Sequence, residues 1–175
     1  MGTRTEVIET YNGWSPPAIV RSVIDRLLAS VPSHFLTGLR SVVLTNGSGL
    51  NHDRRRKFTK WRRRKVREAA ALGLYHHSTK GQQAWVEIFV DNILTSSDSV
   101  CLHLAPLADL TFGGVLFHEI GHHVHATRVP EFREKEDVAD KSADRLLREH
   151  MWRRHWFVMG FLWPVVRLMT WRRAR

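Results

Sequence analysis

Residues 117–125 read FHEIGHHVH. His118 and His122 stand four apart, and on a helix that spacing puts two side chains on one face, one turn apart. Two imidazoles so placed reach a single divalent ion at about 2.0–2.1 Å. Glu119 follows the first of them, where a carboxylate at the side of the ion can take a proton from water. His118-Glu119-Ile120-Gly121-His122 is thus an HExxH motif whose chemistry depends on a helix. The flanking residues supply one. Leu116, Ile120 and Val124 recur at intervals of four, the stripe that a packed helix buries, so a helix is expected from Leu107 to about Thr127. Gly121 inside it costs about 1 kcal/mol relative to Ala, which points to a close neighbour on that side.

Working outward, residues 85–91, WVEIFVD, alternate as a strand does, with Trp85, Glu87 and Phe89 on one side and Val86, Ile88 and Val90 on the other. Residues 71–77, ALGLYHH, read as a strand joined to it through the loop at 78–83. Residues 40–45, RSVVLT, read as another, followed by the turn Asn46-Gly47-Ser48-Gly49. Before them, residues 16–30 space Ile19, Val23, Ile24, Leu27 and Leu28 at helical intervals, and Pro32 ends that run. On the other side of the motif, Pro130 is expected to start a helix to about His150, with Phe132, Ala139, Ala143, Leu146 and Leu147 on its apolar side. The order predicts one α+β domain over residues 1–175: an N-terminal helix, a three-stranded, mainly antiparallel sheet, the HExxH helix, a second acidic-apolar helix and a C-terminal helix.

A third metal ligand is needed. The longer pattern HExxHxxGxxH fails, because His125 and Arg128 stand where it requires Gly and His. Glu136 and Asp140 lie one turn apart, on the same side as Ala139 and Ala143. A carboxylate aimed at an apolar interior is costly unless a cation or donors receive it. Zinc would supply that partner to Glu136, and Asp140 could hold a ligand histidine by its far nitrogen. His125 is the alternative third ligand, although three ligands from one helix strain a tetrahedron. His123 reads as a surface residue or one just outside the ligands. Tyr75, His76 and His77 end a strand and are candidates for an oxyanion donor.

With these residues in hand, HEIGHH followed by EDVADKSADRLL resembles the gluzincin metallopeptidases. The Glu136 to Asp140 spacing is similar to the glutamate helix of thermolysin-like enzymes, and the string with Ala139, Ala143, Leu146 and Leu147 resembles the ImmA/IrrE family and the minigluzincins. It departs in carrying Asp140 where Asn is common and Ser142 where an aromatic is common. The resemblance covers roughly residues 71–150. It implies a small zincin-like fold, zinc on His118, His122 and Glu136, Glu119 as general base and then acid, and Asp140 orienting His118. It also implies that the strand at 85–91 offers its edge to an extended peptide substrate. The expected activity is endopeptidase hydrolysis by metal-activated water. The rival expectations are a non-catalytic zinc-binding regulatory protein and a basic module that binds nucleic acid or a membrane surface.

The remaining features concern partners and location. The net charge is +10, and ten of the fourteen residues at 54–67 are Lys or Arg, with Phe58 and Trp61 between them. This basic segment, 51–68, is expected to be exposed, partly helical and mobile, with nucleic acid or anionic lipid as candidate partners. Cys101 is the single cysteine, which excludes an internal disulfide and a cysteine-rich metal site. The opening MGTRTEVIETYNGW has no apolar run behind its charges, so a cytoplasmic location is expected. Residues 152–171 are rich in Trp, but the uncharged stretch at 156–166 is too short to span a bilayer, which needs about 20 residues. A helix packed on the core is the leading reading of this stretch, and a helix lying on a membrane is the alternative.

Overall fold

The motif's helix is the central support of a four-stranded sheet in the computed structural model. The structure describes residues 5–61, 64–97, 102, 104–128 and 136–173, with side chains for all of these except 60, 61, 64, 128, 136 and 161–173. In chain order the elements are β1 (Glu6–Thr10), α1 (Ile19–Ser30), β2 (Leu39–Thr45), α2 (His52–Arg56), β3 (Phe58–Trp61), β4 (Arg64–Arg67), β5 (Gly73–His76), β6 (Ala84–Phe89), α3 (Val90–Ser96), α4 (Ala105–Arg128) and α5 (Glu136–Arg173).

The fold class is α+β, as the sequence predicts, but the sheet differs from the expected one. Its order is β1-β2-β6-β5, with β1 parallel to β2, β2 parallel to β6, and only β5 antiparallel to β6. The described residues therefore open on a strand, β1, and not on a helix. Parallel neighbours need a crossover, and α1 supplies it between β1 and β2. Its residues Val20, Val23, Ile24 and Leu27 are fully buried against the sheet side of the core. The strand at 85–91 is not an edge: as β6 it lies between β2 and β5, and β5 ends the sheet. It also stops at Phe89, where the chain turns directly into α3. Asp91 there accepts from the backbone amides of Gly47 and Ser48 at 2.7 and 2.9 Å, tying α3 to the turn after β2.

The basic segment is ordered differently from its expectation. Among its described residues α2 is the α-helical part, and β3 and β4 pair antiparallel, Phe58 opposite Arg67 and Thr59 opposite Val66. Phe58 and Trp61 sit at helical spacing, but with Thr59 and Val66 they are also strand formers, and pairing decided the matter. Repulsion is relieved by internal partners. The Arg54 guanidinium bonds both Glu68 and Glu87, and reaches Glu87 at 2.9 and 2.6 Å. His76 meets the same Glu87 carboxylate at 3.0 Å and stacks flat on Trp85, with ring centroids 3.8 Å apart. One arginine of the run thus belongs to the domain and fastens α2 to β6.

The helical stripe is buried as its period requires. Phe112, Leu116, Phe117 and Ile120 of α4 are fully enclosed, each contributing roughly 1.5–3 kcal/mol by leaving water. α4 crosses α5 closely at Gly121, where a Cβ would lie 2.7 Å from the Ala139 carbonyl oxygen and 2.9 Å from its Cα. That contact is the reason for a glycine in the middle of this helix. It sets the first turns of α5 against the face that carries His118 and His122. Pro130 and Phe132, with the rest of 129–135, lie outside the described residues, and α5 is described from Glu136.

Candidate metal centre

His118 and His122 are buried on α4, and their Nε2 atoms are 3.1 Å apart with the rings nearly perpendicular. Two nitrogens bound tetrahedrally to one ion at about 2.1 Å sit roughly 3.4 Å apart, so the pair is spaced as ligands of a shared ion are. Burial, reinforced by His118 and His77, pushes the His122 pKa down to about 4, so its ring is neutral at pH 7 and keeps a lone pair to donate. The Asp140 Oδ1 lies 2.9 Å from His118 Nδ1, on the opposite side of that ring from His122. A carboxylate there fixes the ring's orientation and leaves Nε2 as the donor.

Glu136 is the first residue of α5, one turn before Asp140 and three residues before the Ala139 backbone that rests on Gly121. Its side chain lies outside the described residues. His125 is buried with its Nδ1 unbonded, and it adds to the field at His122. Either side chain remains a candidate third donor.

Glu119, on the same helix, is buried and lies against β5. A Cβ on Gly73 would fall 2.8 Å from Glu119 Cγ, 2.9 Å from its Oε1 and 2.9 Å from Val115 Cγ1. The missing side chain at position 73 is thus the space that Glu119 occupies. Gly73→Ala is expected to push the carboxylate aside and lower kcat for any reaction it serves by about a hundredfold, since displacements near 1 Å cost that much. Steady-state kinetics on Gly73→Ala, with its metal content measured alongside, checks this.

The other histidines have separate duties. His123 is fully enclosed, which corrects the expectation of a surface position. Its Nε2–H donates to the Thr37 carbonyl at 3.0 Å, so its Nδ1 accepts from the Tyr75 hydroxyl at 3.2 Å. Burial lowers its pKa, and it serves as a neutral pin between α4, β5 and the loop before β2. Of the three candidates for an oxyanion donor, Tyr75 is bound to His123 and His76 to Glu87. His77 is exposed and close enough to act on the charge of His122.

A second group of possible ligands draws on residues far apart in the sequence. The donor atoms of Asp109, His150 and His155 lie within 4.8 Å of one another and could hold a metal ion. Here, however, Asp109 is fully buried and already receives the Arg26 guanidinium, with Nε of Arg26 at 3.1 Å from Oδ1. His150 and His155 both donate to its Oδ2, at 3.0 and 2.7 Å. A cation is already in place, so the group works as an ion-pair hub that fastens α1, α4 and α5 together. Its signal in the sequence was a carboxylate on the buried stripe: Asp109 precedes Phe112, Leu116 and Ile120 at helical spacing.

No protein-family model, curated protein or solved structure matches the chain.

Proposed function

We propose that the chain is a zinc-dependent endopeptidase of gluzincin type, with His118, His122 and Glu136 as ligands. The observation that carries this reading is the buried Nε2 pair 3.1 Å apart, on a helix whose Glu119, which lies between them in the motif, is buried against Gly73. Water-excluded nitrogen donors with a carboxylate at their side are the parts that hydrolysis by activated water requires.

A zinc ion held by these side chains supplies Lewis acidity to a peptide carbonyl and to water. Glu119 accepts the proton of the attacking water and returns it to the leaving amine. Asp140 keeps His118 in the tautomer whose Nε2 lone pair faces His122. β5 runs past Glu119 at the end of the sheet, and its outer edge suits an extended peptide, which would add as a strand. His77, whose charge reaches His122, would be the donor to a developing oxyanion. A cytoplasmic location accords with the lone Cys101.

Metal analysis coupled to a peptide-library assay tests the reading. The purified protein is expected to hold about one zinc per chain. A chelator should end cleavage and added zinc should restore it. Zinc-loaded protein that cleaves no peptide would leave a metal-binding protein without this activity.

A further inference from the structure

α5 changes direction at His155, whose φ of −124° and ψ of 33° are not helical. The His155 ring is held there by Asp109 at 2.7 Å. Just beyond this anchor two large aromatic side chains face water. Trp156 is 57% exposed and Phe157 73%, with their ring centroids 3.8 Å apart, and Trp152, one turn earlier, is 42% exposed. Packing on the domain, the leading expectation for this stretch, does not hold for these residues. Exposed Leu110 neighbours Asp109, so the Asp109–His155 bond brings it to the same end of the molecule. Single exposed apolar residues are ordinary, but a group of large ones marks an interaction surface.

The charge of this end narrows the partner. From His150 to Arg175 there are six arginines and no Asp or Glu. Between Trp156 and Trp171 the only charged residue is Arg167. α5 stays helical through this run to Arg173. Sixteen helical residues measure about 24 Å, short of the ~30 Å hydrocarbon core. Accordingly, no helix among the described residues is long and apolar enough to cross a membrane. The sequence carries tryptophans at 152, 156, 163 and 171 among arginines at 153, 154, 167, 172 and 173, the composition found at lipid headgroups, where an amphipathic ring meets both water and hydrocarbon. Nucleic acid would satisfy the arginines and leave the apolar run in water.

We propose that the part of α5 beyond His150 is a docking arm for an anionic bilayer surface, with Trp152, Trp156 and Phe157 entering the interface and the arginines matching the lipid charge. The arm lies in the interface and does not span. It hangs from the Asp109 hub, so docking would hold the whole domain at the membrane.

Co-sedimentation of the full chain with phosphatidylcholine vesicles, with and without phosphatidylserine at about one lipid in three, tests this. Binding is expected to the anionic vesicles, with weak binding to the neutral ones, and raising the salt to about 0.5 M should release most of it. Trp156→Ser with Phe157→Ser should lower partitioning roughly tenfold or more. Arg172→Gln and Arg173→Gln should each lower it about fivefold. Equal binding to both vesicles, no binding to either, unchanged binding of the aromatic variant, or preferential retention on RNA overturns the proposal. Zinc content and circular dichroism confirm that each variant is folded. Because peptide cleavage is read separately, loss of either property leaves the other testable.

Discussion

Glu119→Gln is expected to lower peptide hydrolysis by about a hundred- to ten-thousand-fold, the range that a positioned general base contributes. Glutamine keeps the shape of glutamate, so the fit against Gly73 survives and the buried Nε2 pair is undisturbed. What is lost is the ability to take a proton. Zinc content should therefore stay at the wild-type level while kcat falls, and KM should change little. This split separates a base from a ligand: removing His122 or Glu136 would reduce the bound metal as well. Activity within a few-fold of wild type would remove Glu119 from the chemistry.

Asp109→Ala is expected to destabilise the fold by roughly 3–5 kcal/mol, because it leaves the charge of Arg26 and two histidine donors without their common acceptor. Chemical denaturation checks the magnitude. The pH dependence adds a second readout. Burial alone would raise the Asp109 pKa, but hydrogen bonds from His150, Arg26 and His155, with the Arg26 charge, outweigh it and hold the carboxyl well below its usual range. A depressed carboxylate pKa stabilises the fold above its unfolded value of about 3.9, and the stability is lost as pH falls through and below that value. Wild type should therefore lose stability more steeply than Asp109→Ala below about pH 4.

The sequence carried the helix of the candidate centre best, because Leu116, Ile120 and the His118/His122 pair all obey one period and all meet partners on the faces that this period assigns. The strands at 40–45, 71–77 and 85–91 were legible as elements, but their neighbours were not. Pairing is a long-range choice, and nothing in WVEIFVD says that a parallel strand from residues 39–45 takes the edge that a peptide was expected to fill. β1 has little signal in the sequence, because EVIET is short and half-exposed and its alternation is faint. In the basic segment the charge count hid Arg54, whose partners Glu68 and Glu87 are 14 and 33 residues away. The Asp109 hub was hidden likewise, since Arg26 and His150 come to it from 83 and 41 residues away. Local motifs survive translation from sequence to structure; clusters assembled from distant residues need the fold first.

An anomalous-diffraction map collected at the zinc edge on crystals of the metal-loaded protein tests the central claim most directly. It should show one strong peak within about 2.1 Å of both His118 Nε2 and His122 Nε2, with the Glu136 carboxylate completing the protein ligands. A peak between Asp109, His150 and His155 alone, or no peak near the 118/122 pair, would contradict it.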